Sequence, residues 1–350
     1  MHLPGTSPTR VDPPATREQW DAFVDAAPDA TFFHRAAWMQ LLEHVFGFRA
    51  HPLTAWRDGR IVGVLPLCEV RPPFGKPRLL SLPFAVTAGV SAVDDAARHA
   101  LEDAAVARAG AIGARYLELR DGLGGNAFQL TSDLHCRFRR RLAPDDAENL
   151  LRIPRKQRRM IRIGQHSDLR ASVDAQVDVF YDLYARSQRR LGTPVLPRGY
   201  FVELLRQCAA DTVILTVRRG AVAVASVLSF RFRDTILPYY AGSREEYFRY
   251  AINDFMYWEL MRFAGTRGVT MFDFGRSRRG SGAFDYKRHW GFEPEPLRYR
   301  VHSLGQPVPR KHTVDDPRVR LLAWGWRRLP LGVTTRLGPL FVRHFGPYFT

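Results

Sequence analysis

The residues of this chain best equipped for chemistry lie in one segment, "FDFGRSRRGSGAFDYKRHWG", residues 272–291. Asp273 sits on an apolar stretch that leads into Gly275 and Arg276, and three small residues, Gly280, Ser281 and Gly282, then precede an aromatic run around Lys287. Glycine adopts backbone conformations closed to other residues, so a ligand can approach this main chain closely. Arg276 and Lys287 can bracket a phosphate or a developing oxyanion. Asp273 can orient Arg276 or an acceptor amine, or can equally form a plain structural ion pair. Arg278 and Arg279 read as a solvated loop.

A second candidate is "AGSREEYF", residues 241–248, which follows a strand holding Tyr239 and Tyr240 and enters a helix predicted from Glu245 to Ala264. Orphan N–H groups at a helix start favour anions, so Ser243 and Arg244 are expected to face a phosphate. Gly242 and Ser243 equally suit plain turn chemistry. On the predicted helix, Phe248, Ile252, Phe255 and Glu259 share one stripe. A carboxylate on a buried stripe is paired, protonated or catalytic, which makes Glu259 a candidate general base, although pairing with arginine is the commoner outcome. Asn253 and Asp254 fall on the exposed flank, with Asn253 placed to hydrogen-bond an acyl amide.

Two further segments offer binding groups. "RIPRKQRRMIRIGQHSDLR", residues 152–170, carries Arg155, Lys156, Arg158, Arg159 and Arg162. As a helix it aligns Arg155, Arg159 and Arg162 on one face, which is either a solvated surface or, with Lys156, a grip for a nucleotide or an RNA backbone. "RRLGTPVLPRGYF", residues 189–201, is a loop set by Gly192, Pro194 and Pro197, with Thr193 and Tyr200 as candidate acceptor contacts.

The elements that must position these residues occur twice. "HPLTAWRDGRIVGVLPLCEV" and "TVILTVRRGAVAVASVLSFRF" each read as a hairpin, about 160 residues apart. The first is followed by a strand at 78–82, a helix from Asp94 to Ala109 and a strand at 113–122. The second is followed by "TILPYYAG", the helix from Glu245 and the strand "GVTMFDFGRS". The same order recurring predicts two copies of one α/β domain.

Composition bounds the partners. The chain has 350 residues, 45% of them hydrophobic, and a net charge of +17. That excess suits a polyanion: tRNA, a nucleotide-activated substrate, coenzyme A or an anionic membrane. An arginine-rich composition without a polyanionic partner explains it as well. Cys68, Cys136 and Cys208 are odd in number and widely spaced, so neither a disulfide framework nor a zinc site is expected. No run reaches the roughly 18 apolar residues of a membrane span. Residues 317–350 hold six arginines, Trp324, Trp326 and no acid. They either lie at a membrane interface as short pieces limited by Pro330 and Pro339, or pack on the domains.

Antiparallel strands, a helix, a strand and the ending "FDYKRHWGFEPEPLRY" resemble the GCN5-related N-acetyltransferase (GNAT) fold, and two in tandem resemble the FemAB family. "KQRRMIRIG", "RRLGTPVLP", "LPYYAGS", "NDFMYWELM" and "FDFGRS" followed by "YKRHWGF" are similar, more narrowly, to the branch associated with PEP-CTERM/exosortase and exopolysaccharide systems. The resemblance spans roughly residues 15–345. It implies an α/β fold of two tandem acetyltransferase-like domains with mixed, mainly antiparallel sheets and flanking helices. The expected divisions are 15–150, 151–305 with the donor site, and a tail from 306 to 350. The acetyltransferase pyrophosphate signature is not matched, because only Gly242 precedes the helix.

By the same resemblance, family members transfer aminoacyl groups from tRNA to cell-wall precursors, and a lysine at the position of Lys287 contacts the donor. The implied activity is transfer of an acyl or aminoacyl group to an amine, or a hydroxyl, of a cell-envelope or exopolysaccharide precursor. Acyl-CoA-dependent acylation of a nucleotide sugar or small amine is the rival enzyme reading, and a non-catalytic scaffold for polysaccharide assembly the rival outside enzymes. No tightly bound cofactor or metal is expected, only acyl-CoA or aminoacyl-tRNA as co-substrate. The expected location is the cytoplasm and the inner-membrane surface, reached through residues 317–350.

Overall fold

The structure, a computed structural model, describes residues 8–120, 128–130, 134–305 and 317–349. The last two residues of the strand expected at 113–122 and residues 306–316 of the expected tail lie outside the described residues.

In the first part of the chain, β1 (Arg10–Val11), α1 (Arg17–Ala26) and α2 (Ala36–Phe46) precede β2 (Arg49–Ala50) and the hairpin of β3 (Leu53–Arg57) and β4 (Arg60–Leu65). Asp58 and Gly59 both take positive φ at the tip, 49° and 71°, as a two-residue hairpin turn demands. Then come β5 (Cys68–Val70), β6 (Arg78–Leu80), β7 (Ser91–Ala92), α3 (Asp95–Ala111), β8 (Tyr116–Leu119) and β9 (Gln129–Leu130). The second part opens with β10 (His135–Arg141), α4 (Asp146–Leu151), α5 (Arg155–Gln165), β11 (Leu169–Asp174), α6 (Val177–Leu191) and α7 (Arg198–Cys208). It continues through β12 (Thr212–Arg219), β13 (Val222–Phe232), β14 (Thr235–Ser243), α8 (Ile252–Thr266), β15 (Met271–Arg278), α9 (Gly282–His289), β16 (Pro294–Leu297) and β17 (Arg300–Ser303). Two helices, α10 (Pro317–Arg328) and α11 (Leu331–Phe349), close the chain.

The repeat read from sequence is a repeat of pairing. β6 runs parallel to β8 at two positions, Leu79 beside Leu117 and Leu80 beside Glu118, and β14 runs parallel to β15 at two positions, Thr235 beside Met271 and Ile236 beside Phe272. In each copy a helix, α3 or α8, connects the two parallel strands, and the preceding strand pairs antiparallel, β5 with β6 and β13 with β14. The copies differ in one respect. β13 runs unbroken for 11 residues, whereas its counterpart is split into β4 and β5 around Pro66, which has no N–H for a ladder. One seven-stranded sheet, β11-β12-β13-β14-β15-β10-β16, therefore stands against two smaller ones, β1-β3-β4-β7 and β2-β5-β6-β8-β17-β9.

Each copy is completed by a strand from the other. β10, which follows the first copy in the chain, pairs with β15, and β17, which follows the second, pairs with β8. The compact units are accordingly residues 1–132, 298–311 and 343–350, and residues 133–297 and 312–342. These divisions differ from the sequence-based boundaries at 150 and 305, because strand exchange is invisible to a linear reading. The core of the first unit gathers Leu53, Leu65, Leu79, Leu101, Leu117 and their neighbours under α3. The second unit's core gathers Phe138, Ile161, Val227, Met256, Phe272, Phe274, Trp290 and others beneath α5, α8 and α9.

Gly242 is a packing residue and not a turn. It lies within β14, and a Cβ there would stand 2.2 Å from the main chain of Leu183 and Tyr184 on α6. The Ser187 hydroxyl completes this seam, accepting from the N–H of Ser243 at 2.9 Å and lying 3.2 Å from its carbonyl oxygen. The expected phosphate-facing role of Ser243 is thereby corrected: its backbone groups hold α6 to the sheet. Gly242→Ala is expected to lower stability by about 1–3 kcal/mol, the usual cost of overpacking, because backbone cannot move aside. Thermal or urea unfolding of the purified variant checks this, and an unchanged midpoint would refute the seam.

Candidate functional site

In the second unit β14 and β15 pair at only two positions, Thr235–Met271 and Ile236–Phe272, and beyond them each strand carries an irregularity. On β14 the register slips, so that Leu228 faces Tyr240 and Ser229 faces Pro238, leaving Tyr239 as a bulge. On β15, Gly275 takes φ +68°, a left-handed conformation suited to glycine, and Leu237 comes within 3.0 Å of where its Cβ would be.

Asp273, almost wholly buried, fixes this bend. Its Oδ1 accepts the N–H of Gly275 at 2.8 Å, and its Oδ2 accepts Arg137 Nε from β10 at 2.6 Å. Asp273 thus forms the structural ion pair that the sequence offered as one of its readings, with Arg137 as a charge partner. Buried carboxylates require such pairing.

Lys287 closes the site from α9, which starts at Ser281, whose Oγ accepts the N–H of Phe284 at 3.2 Å. The half-buried amine reaches back to the sheet, donating to the carbonyls of Gly275 at 3.3 Å and Arg276 at 3.1 Å, with the Phe138 ring 5.7 Å away. Burial pushes its pKa down to about 7; Asp273 opposes that shift and Arg276 adds to it. Asp273, Gly275, Arg276 and Lys287 are thus brought together as the sequence suggested. An amine that is half neutral near pH 7 can accept a proton, and with its neighbour Arg276 it can also hold an anion.

The other candidates are dispersed. Gly280 takes the left-handed turn before α9, while Gly282 has ordinary φ and open space around it, so only the first of the pair needs to be glycine. The single helix expected from Glu245 is broken: Glu245–Tyr250 is a 3-10 turn, Ala251 sits at φ 53°, and α8 begins at Ile252. Phe248 consequently lies off the stripe, and Glu259 pairs with Arg262 at 3.1 Å on the side of α8 that meets Ala171 and Ser172 of β11. Glu259 thus takes the arginine pairing that is the commoner outcome on sequence grounds. Arg244 is likewise engaged, donating to the Ala223 carbonyl at 3.1 Å and lying 3.5 Å from Asp182.

Tyr240 faces the aromatic layer of α6 and α7, its hydroxyl 2.9 Å from that of buried Tyr200, while Tyr239 packs on Phe230. Thr193 belongs to the C-terminal cap of α6, its N–H bonded to the Gln188 carbonyl at 2.9 Å, and joins no site residue. Asn253, half-buried, is on the first turn of α8, whose N-cap residue Ala251 supplies no side-chain acceptor. Those first N–H groups favour an anion. Lys156 and Arg159 lie elsewhere in this unit, on the exposed face of α5 with Arg155 and Arg162. None of the four has an ion-pair partner among the described residues.

Sequence reasoning missed two groups. Arg137 lies in "HCRFRRR", where Cys136 and Phe138 are buried and Arg137 and Arg139 are not, an alternation that marked a strand with arginines along one face. Asp254, read as exposed, is buried: it accepts from Gln157 of α5 and, at 3.0 Å, from the Tyr286 hydroxyl of α9. Burial raises its pKa against those hydrogen bonds. This carboxyl ties α5, α8 and α9 together behind Lys287.

Residues 137–288 match the acetyltransferase (GNAT) domain family. Among solved structures, one titled FemX superposes with a TM-score of 0.70 at 16% identity, covering 85% of this chain and 98% of that one. The C-terminal DUF2156 domain of a putative lysylphosphatidylglycerol synthetase from Agrobacterium fabrum gives 0.55 at 12%, covering 82% and 91%. A tandem GNAT protein from the clavulanic acid biosynthesis pathway gives 0.51 at 12%, covering 86% and 100%. No curated protein matches the chain. The fold is that of two tandem GNAT-like domains, and the second unit carries an acyltransferase domain of the GNAT class, its donor unspecified.

The placement of Lys287 has a thermodynamic signature. Its amine titrates at about 7 in the folded protein against an ordinary 10.5, so between those values the unfolded chain binds more protons and stability rises with pH. Lys287→Met removes that penalty, which is largest below pH 7. The variant is expected to melt higher than the wild type at pH 6, with the gain nearly gone by pH 10. A gain that does not depend on pH would show that Lys287 keeps an ordinary pKa.

Proposed function

We propose that the second unit transfers an aminoacyl or acyl group to an amine of a cell-envelope or exopolysaccharide precursor, with a hydroxyl as the less favoured acceptor. The observation that carries this reading is Lys287: an amine held at a bent strand between the carbonyls of Gly275 and Arg276, its pKa pushed down to about 7 by burial, within the residues that match the GNAT family. The acceptor nitrogen attacks the carbonyl carbon of the donor ester or thioester. A C–N bond forms, the C–O or C–S bond breaks, and no enzyme-bound acyl intermediate is required. Neutral Lys287 takes the proton lost by the attacking amine and returns it to the leaving group. Arg276 and the uncapped start of α8 hold the donor's anionic part. Positioning supplies much of the acceleration.

Aminoacyl-tRNA is the favoured donor, because Arg155, Lys156, Arg159 and Arg162 offer exposed cations without acidic partners to a phosphate backbone. The match to the GNAT family supports acyl-CoA as the second reading. The exopolysaccharide setting rests on the resemblance of the quoted segments alone.

Lys287→Ala and Arg276→Ala are expected to leave the circular dichroism spectrum unchanged and to reduce transfer by about a hundredfold or more. The wild-type rate should rise as pH increases through about 7 and then level, since the neutral amine is the active form. Undiminished transfer by either variant removes that residue from the site. For the donor, affinity for aminoacyl-tRNA should fall with salt at a logarithmic slope of about 0.7–0.9 per phosphate contact. Tight acyl-CoA binding with little salt dependence and no tRNA binding would establish the second reading.

A further inference from the structure

The last two helices present a surface that acyl transfer does not use. One side of α10 and α11 is buried in the second unit. Trp326, Thr334 and Val342 are covered, the Leu329 carbonyl accepts Arg189 Nε of α6 at 2.6 Å, and Gly338 lies against Val195. Tail packing, the alternative to interfacial pieces in the sequence, therefore holds for this side. Pro339 does not end the second helix, which continues to Phe349.

The outward side is apolar and basic together. On α10, Leu321 and Trp324 share a stripe, 68% and 54% exposed, with Leu322 beside it and Arg320, Arg327 and Arg328 around it. Arg328 lies over the Trp324 ring at 3.6 Å. On α11, Val333, Leu337 and Leu340 recur at helical spacing as a second exposed stripe, with Arg336 alongside. The side chains of Trp326 and Phe341 meet edge to face at 5.4 Å and join the helices. Scattered exposed leucines are ordinary, but stripes on two adjoining helices flanked by one sign of charge are not.

We infer that this face docks on an anionic bilayer, with Leu321, Trp324, Leu337 and Leu340 entering the headgroup boundary and the arginines meeting lipid phosphates. Charge selects the occupant. From residue 317 onward the chain has six arginines and no acid, so two copies placed face to face would repel, whereas an anionic surface attracts both the charges and the apolar stripes. No described helix is long and apolar enough to cross a membrane, which fits a helix pair lying in the interface plane. This inference does not depend on the acyl-transfer reading.

The test is sedimentation of the full-length protein with vesicles, using Leu321→Glu and Leu340→Glu as single variants. Both positions are exposed, so melting temperature should not change. The wild type is expected to bind vesicles containing phosphatidylglycerol, to bind pure phosphatidylcholine at least about tenfold more weakly, and to weaken without full release in high salt. Each variant should lose about tenfold or more in partitioning while retaining transfer from a soluble donor. Failure of the wild type to bind phosphatidylglycerol vesicles, or binding unaltered in both variants, overturns the inference. So does concentration-dependent self-association that either variant abolishes, which would assign the face to a second copy.

Discussion

The second unit depends on a pairing that stops early. β14 and β15 share only the register at Thr235–Met271 and Ile236–Phe272 before diverging. Had the ladder continued, Asp273 to Ser277 would be covered by β14, and α9 could not send an amine to the carbonyls of Gly275 and Arg276. Divergence leaves peptide groups without sheet partners, and burial makes that costly. The surroundings meet the cost locally. Asp273 takes the Gly275 N–H, Lys287 takes two carbonyls, and Arg137 neutralises Asp273 from the neighbouring strand. The groups that stabilise this bend are the groups of the candidate site.

The first unit shows the same early parting with a different outcome. Past β6 and β8 its chain bends through Leu82 and Phe84, both at positive φ, and Arg120 is wholly buried there. Arg120 donates to the Ala85 carbonyl at 2.8 Å and to Glu118 at 3.1 Å, and its N–H meets Ser81 Oγ at 2.6 Å. Each of these contacts lies within the first unit, so where the second unit sets Lys287 against strand carbonyls, the first sets a buried arginine against its own polar groups.

How much of this was legible in the sequence follows from the range of the forces involved. Local patterns reported local structure. The Asp58-Gly59 hairpin turn and the cluster of Asp273, Gly275, Arg276 and Lys287 within 15 residues required no distant information. Where a residue's fate depended on another element, the reading failed. Ser243 found Ser187 of α6, and Asp254 found Gln157 and Tyr286, neither of which periodicity can foresee, whereas Glu259 took the arginine partner that helical spacing offers in Arg262. Ala251 broke a helix that its neighbours' propensities favoured, because a left-handed residue there turns α8 back beneath the sheet.

The exchange of β10 and β17 has a consequence for biogenesis. On a ribosome the first 120 residues emerge with β8 as an open edge, and the strand that covers it, β17, is not made until residue 303. The first unit cannot finish folding as an autonomous domain during synthesis, although it is encoded first. An exposed edge carried through 180 residues of translation invites pairing with other chains, and closing so long a loop is slow. Production of this protein should therefore depend on chaperone capacity and elongation rate more than its native stability suggests, and splitting the gene between the copies would leave two halves, each lacking its closing strand.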